Sequence, residues 1–157
     1  MRKEPVILSS PQESAAVHAT IQELASFRYK LRKFLRFSER AARQFGVTPQ
    51  QHQLMLGVAG FTGRGTASIT ELAEFLQERH HSVTELIERA VQNGLVAREQ
   101  GLADRRVVIV TLTCLGEETL RKLSTLHQEE MSRLKAGFLN LPEASASAQR
   151  NKRRRLT

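Results

Sequence analysis

In the stretch HHSVTELIERAVQNG, from His80 to Gly94, two imidazoles, two hydroxyls, two carboxylates and a guanidinium follow one another closely. An imidazole donates or accepts a hydrogen bond and a serine hydroxyl does either. A carboxylate only accepts, and a guanidinium only donates. At helical spacing Ser82, Glu85, Arg89 and Gln92 share one face, with His81 nearby and Thr84 on the flank. The opposite face carries Val83, Leu86, Ile87, Ala90 and Val91, the i, i+3, i+4, i+7, i+8 stripe of a helix packed on a core. A helix clamped on one side and polar on the other can read base edges, because the major groove of B-DNA accepts one α-helix. The early members, His81, Ser82 and Glu85, are best placed for that, and a carboxylate can accept from a cytosine amino group. Arg89, two turns along, fits a phosphate better. Either histidine could instead cap the helix or pack at its start.

A second group of charges lies in GLADRR, where Asp104 precedes Arg105 and Arg106. Arginine is drawn into narrow minor grooves by their negative potential. Asp104 could brace the Arg106 guanidinium through a bidentate pair. The same residues fit a solvated turn with an incidental ion pair equally well.

The elements that must position these groups announce their own starts. SPQE at Ser10–Glu13, TPQQ at Thr48–Gln51 and SITE at Ser68–Glu71 each place a hydroxyl at the N-cap and a Glu or Gln three residues later. Gly46 and Gly94 sit where helices commonly stop. A first helix is expected from about Pro11 to Phe45, and a short one from Pro49 to about Ala59. A helix on Ile69, Leu72, Ala73 and Leu76 then turns through Gln77–Arg79 into the helix quoted above, which makes a helix-turn-helix. LVAREQ (Leu95–Gln100) and VVIVTL (Val107–Leu112) read as two antiparallel strands with a polar tip. Thr113 can cap a last helix from Cys114 to about Leu139. The fold class expected is mainly α with a small β-hairpin wing. A winged helix-turn-helix is flanked by long terminal helices.

Those terminal helices are too long for one small domain. The first would extend roughly 50 Å, against a radius of gyration of about 15 Å for a compact chain of this size. Its seam of Val17, Ile21, Leu24, Leu31, Phe34, Leu35 and Phe45 needs a cover. So does the seam of Leu115, Thr119, Leu123, Leu126, Met131, Leu134 and Phe138 on the last helix. Pairing with a second copy is the expected solution, and a kinked helix folded on its own domain is the alternative.

Composition sets outer bounds. The chain has 157 residues, 40% of them hydrophobic, and one cysteine, Cys114. An internal disulfide is excluded and a reducing cytoplasm fits. No apolar run approaches a membrane span, and the N-terminus does not read as a signal peptide. The formal charge is +8, but Arg150, Lys152, Arg153, Arg154 and Arg155 carry five of those charges, so the body is only mildly basic at +3. Arg28, Lys30, Arg32, Lys33, Arg36, Arg40 and Arg43 crowd the first helix against Glu39, and read first as a solvated face. Adjacent histidines point about 100° apart on a helix and chelate poorly. His18, His52 and His127 lie on other helices without metal-ligand spacing. No metal or cofactor is expected. Without a glycine-rich phosphate loop, a metal triad or a base beside Cys114, neither is catalysis.

Together, Leu72–Ala73, the Asn-Gly-Leu-Val that ends the recognition helix, Asp104–Arg106 as Asp-x-Arg, and Leu112–Gly116 as Leu-Thr-x-x-Gly resemble the MarR family of bacterial transcription regulators. The match is close from about Thr48 to Leu120, and the outer helices match by placement. A flexible N-terminus is expected at 1–9 and one MarR-like domain at 10–140, and the tail at 141–157, small, polar and finally basic, is expected to be disordered. Within the domain the resemblance implies dimerisation helices at 10–46 and 113–140, a helix-turn-helix at 69–93 and a wing at 95–112. It further implies a homodimer that binds a pseudo-palindromic DNA operator, a repressor in many members. Base reading would fall to His81, Ser82, Thr84 and Glu85, with Arg89 near phosphate, and Arg106 would reach the minor groove supported by Asp104 and beside Arg105. A small aromatic or lipophilic effector releases DNA in many members. Others sense oxidation through a cysteine near the N-terminus, where this chain has none. Glu85 and Glu88 are acidic on a face that must approach phosphates, which leaves open a winged-helix module that binds protein instead of DNA.

Overall fold

The structure, a computed structural model, describes residues 11–102 and 104–139. The N-cap expected at Ser10, the flexible segment 1–9 and the basic tail 141–157 lie outside the described residues. Two compact units divide the chain: Arg36–Glu130, and the outer residues on either side of it. The elements in order are α1 (Pro11–Gln44), α2 (Pro49–Leu56), a π-helical turn (Gly57–Phe61), β1 (Thr66–Ser68), α3 (Ile69–Leu76), α4 (His80–Gln92), β2 (Val96–Gln100), β3 (Val108–Leu112) and α5 (Cys114–Leu139).

Both described capping boxes close reciprocally. Thr48 Oγ1 accepts from the Gln51 N–H at 3.1 Å, and Gln51 Oε1 accepts from the Thr48 N–H at 3.0 Å. At α3, Ser68 Oγ accepts from the Glu71 N–H at 3.3 Å and Glu71 Oε2 accepts from the Ser68 N–H at 2.8 Å. Each satisfies donors that a helix start leaves orphaned. Glu71 also accepts from Arg64 Nη2 at 2.6 Å. The Ser68 backbone N–H first, and Arg64 second, pull its carboxyl pKa down to about 2.

The turn between α3 and α4 depends on Gln77. Its φ of 54° is left-handed, alone among the described residues other than glycine. Its backbone N–H closes the last turn of α3, and its side-chain Nε2 donates to the Glu74 carbonyl at 2.7 Å. That local bond offsets part of the steric cost that a side chain meets in this conformation.

Helix α4 buries Val83, Leu86, Ile87 and Ala90 to 7% exposure or less. Burying a Val, Leu or Ile side chain contributes about 1.5–3 kcal/mol, so this stripe anchors the helix. Val91, expected in the same stripe, is instead 36% exposed. It lies about 80° around the helix from Val83 and falls at the edge of the core contact. Gly94 (φ 69°) then reverses the chain. The Gly94 N–H donates to Val91 and the Leu95 N–H to Ala90, both at 2.9 Å, the pattern of a left-handed helix stop.

The wing sheet has three strands, in the order β1-β3-β2, all antiparallel. Val96 pairs with Leu112 and Gln100 with Val108, while Ala67 of β1 pairs with Val110 on the other edge. The two strands expected from sequence are present, each starting one residue later than expected, and β1 is an addition. Thr113 joins the sheet to α5. Its Oγ1 donates to the Gly94 carbonyl at 2.5 Å and accepts from the Gly116 N–H at 3.1 Å. A Cβ on Gly116 would collide with the Leu95 carbonyl oxygen. The Leu-Thr-x-x-Gly pattern therefore has a steric cause: the first turn of α5 packs directly on the backbone leaving α4.

The core of the Arg36–Glu130 unit gathers Leu54, Met55, Val58, Leu72, Ile87, Val96, Val110 and Leu123, all under 2% exposed except Val96 at 2%. Beside it His52 and His127 are buried, with ring centroids 5.1 Å apart and Phe37 edge-on to His127 at 5.3 Å. His127 Nδ1 lies 2.6 Å from the Leu123 carbonyl, which can only accept, so that nitrogen carries a proton. Burial, and then His127, push the His52 pKa down to about 4.

In the outer unit Val17, Ile21, Leu24, Tyr29 and Leu35 of α1 stay between 44% and 62% exposed, and Met131 of α5 is 43% exposed. None of the described helices is long and apolar enough to cross a membrane.

Candidate nucleic-acid interface

Every candidate reading residue falls in the Arg36–Glu130 unit. They form two groups, one on α4 and one at the tip between β2 and β3. On α4, His81, Glu85, Arg89 and Gln92 are exposed, and Ser82 and Thr84 are half-buried on the flanks. Arg79 is the N-cap and makes no side-chain cap bond, and His80 is exposed. Neither histidine packs into the core, so the polar start of α4 faces outward. Thr84 Oγ1 donates to the His80 carbonyl at 2.9 Å. Its one hydroxyl proton is thereby engaged, leaving acceptor lone pairs and a methyl group for any partner.

The two glutamates on this face have different surroundings. Glu88 lies 3.6 Å from Arg98 on β2, an ion pair that ties the helix to the base of the wing. Glu85 has only Arg89 of its own helix, at 4.0 Å. Both pairs are exposed and contribute little to stability. They nevertheless balance each carboxylate with a guanidinium, so the face is not net acidic. Arg98 was not among the candidate residues. The alternation of LVAREQ could have pointed it outward, but its partner on α4 is set by the tertiary fold.

At the wing tip, Asp104 Oδ1 accepts from the Arg106 backbone N–H at 2.9 Å and from Arg106 Nε at 3.2 Å. A single oxygen takes both bonds, so the brace is not the bidentate pair expected. The arrangement occupies Nε and leaves the far end of the guanidinium outward, with the Arg106 side chain 92% exposed. Arg105 is exposed beside it. The Gly101 N–H donates to the Val107 carbonyl at 2.8 Å and the Val107 N–H to Asp104 at 3.0 Å, closing the tip as a tight turn.

His52 and His127, which sequence spacing did not bring together, meet in the core, both buried. No cluster of three potential metal ligands occurs among the described residues. Cys114 is exposed at the first position of α5.

A chain with this fold and this arrangement of α4 and the hairpin tip has relatives among known proteins. Residues 45–107 match the model of the MarR family. The HTH-type transcriptional repressor MdtR of Bacillus subtilis is 33% identical, over 65% of this chain and 70% of its own length. AbsC of Streptomyces coelicolor, a MarR family transcriptional regulator, superposes with a TM-score of 0.61 at 21% identity, covering 97% of this chain and 92% of that one. The M. tuberculosis transcriptional regulator MOSR, solved in complex with DNA, superposes with a TM-score of 0.53 at 26% identity over 69% of this chain and 77% of its own. The winged-helix architecture, the capping grammar and these likenesses agree: the chain belongs to the MarR family, whose members are transcription regulators and not enzymes.

Proposed function

We propose that this chain is a sequence-specific repressor that binds a pseudo-palindromic operator as a homodimer. In this reading α4 lies in the major groove, with His81, Ser82, Thr84 and Glu85 at base edges and Arg89 at phosphate. Asp104 holds Arg106, beside Arg105, for the adjacent minor groove. The observation that carries the reading is the pairing of two devices in one compact unit: a polar helix face clamped through Val83, Leu86 and Ile87, and a braced arginine at the wing tip. The repressor assignment is supported by the name of the related MdtR. Dimerisation is supported by the exposed apolar residues on α1 and α5. Release of DNA by a small aromatic or lipophilic effector, and action in the cytoplasm, are supported by the resemblance to the family.

The test is selection of bound duplexes from a random library, followed by footprinting on the winner. A symmetric footprint with half-site centres about one DNA turn apart is expected, with affinity falling steeply as salt rises. A one-sided footprint, or affinity that ignores both sequence and salt, would favour the protein-binding module. The exposed carboxylates of Glu85 and Glu88 are what keep that second reading in view.

A further inference from the structure

The wing tip carries an apolar group that the arginines do not explain. Leu102 is 106% exposed, as open to solvent as in an isolated peptide. The other exposed large hydrophobics of the described residues lie between 36% and 62%. Leu102 is not on a loose end. Gly101 before it is fixed by its bond to Val107, and a Cβ at Gly101 would come within 2.9 Å of the Asp104 carbonyl oxygen. The turn that follows is closed twice, by Val107 on Asp104 and by the Asp104 carboxylate on Arg106. A branched aliphatic side chain thus stands out into water on the same hairpin tip as Arg105 and Arg106.

We propose that Leu102 is a wedge that enters the minor groove beside Arg106 and partly unstacks a base step. The proposal rests on the wing-in-groove reading above and adds a residue and an action to it. The charge around Leu102 selects the occupant: two guanidiniums against one carboxylate suit a polyanion better than an apolar protein groove. The chemistry also fits, because proteins that deform DNA from the minor groove pair basic side chains with an inserted Leu, Ile, Met or Phe. Unstacking is cheapest at pyrimidine–purine steps. The wing position in each half-site should then favour TA or CA/TG, with Leu102 making no hydrogen bond to either base.

The experiment uses the full chain and a duplex recovered by selection. Dyes on the duplex ends report bending by energy transfer, and 2-aminopurine placed step by step under the footprint reports unstacking. The wild type should bend the duplex by about 20° or more and brighten one 2-aminopurine step per half-site. Leu102→Ala should lose the brightening and most of the bend, with affinity reduced about tenfold. Leu102→Met should restore all three. Repeating the selection with Leu102→Ala should erase the pyrimidine–purine preference at that step. A wild-type complex with straight DNA, or a Leu102→Ala complex with wild-type bend and affinity, overturns the wedge while leaving operator binding intact. If no duplex is enriched by either protein, the DNA-binding reading falls and the wedge with it. Because Leu102 touches no core residue, matching thermal melts of wild type and variants would confirm that any change arises at the DNA.

Discussion

Helices α1 and α4 both carry an apolar seam, yet only α4 buries all but the edge of it within the chain. Val83, Leu86, Ile87 and Ala90 are 7% exposed or less, whereas Val17, Ile21 and Leu24 are 44%, 57% and 56% exposed. The α4 stripe is anchored inside the chain apart from Val91 at its edge, which gives the fixed orientation that the proposed reading role requires. The α1 seam is instead left open within the single chain, which is what supports the proposed pairing with a second copy. The contrast separates a unit that folds on its own contacts from helices whose apolar surface calls for a partner.

The strongest way to break that contrast is to charge the open seam. Ile21→Asp combined with Leu24→Asp should convert the sedimenting species wholly from dimer to single chain, while the helical circular dichroism of the reading unit persists. An unchanged sedimentation coefficient would mean that the seam is not the contact. The internal anchor should respond in the opposite manner. Gly116→Ala forces a methyl group onto the Leu95 carbonyl and should destabilise the reading unit by about 3 kcal/mol, read by urea denaturation, whatever the state of association.

Acid probes the same unit through His52. Its pKa is about 4 folded, against 6.5 in the unfolded chain. Between those values the unfolded state binds a proton that the folded state does not. The contribution is therefore complete above pH 6.5 and is lost as pH falls toward 4, by about 3 kcal/mol in all. His52→Met should flatten that limb of a melting-temperature profile, and an equally steep limb in the variant would place the titration elsewhere. The smallest effect sharpens the contrast inside the reading unit. Arg106→Ala removes a tip side chain that supports no core, so operator affinity measured by fluorescence anisotropy should fall by about 1–3 kcal/mol with the melting temperature unmoved.

Much of this was legible because it is local. Capping boxes at Thr48 and Ser68 mark helix starts through bonds spanning three residues, and the stripe from Val83 to Ala90 states its own period. What escaped was set by distant partners. Strand β1 is only Thr66–Ser68, and its Ala67 is buried by pairing with Val110, which nothing in its composition announces. His52 and His127 stand far apart in sequence and meet only once α2 and α5 pack. The same holds at the candidate interface. The residues on α4 could be named from their spacing, but Arg98 as the partner of Glu88, and Leu102 as a naked prong, required the wing to be placed against the helix.

Where α4 ends and α5 begins, Thr113 clasps the Gly94 carbonyl and Gly116 nests against Leu95. That clasp works like a welded elbow. The first turn of α5 and the residues that end α4 are therefore in direct contact, with no loop between them at that point. Beside the core stripe of α4, a threonine and a glycine outside the proposed contact residues thus help to fix where that helix ends, and under the proposed function a substitution at either should weaken DNA binding while leaving every proposed contact residue in place.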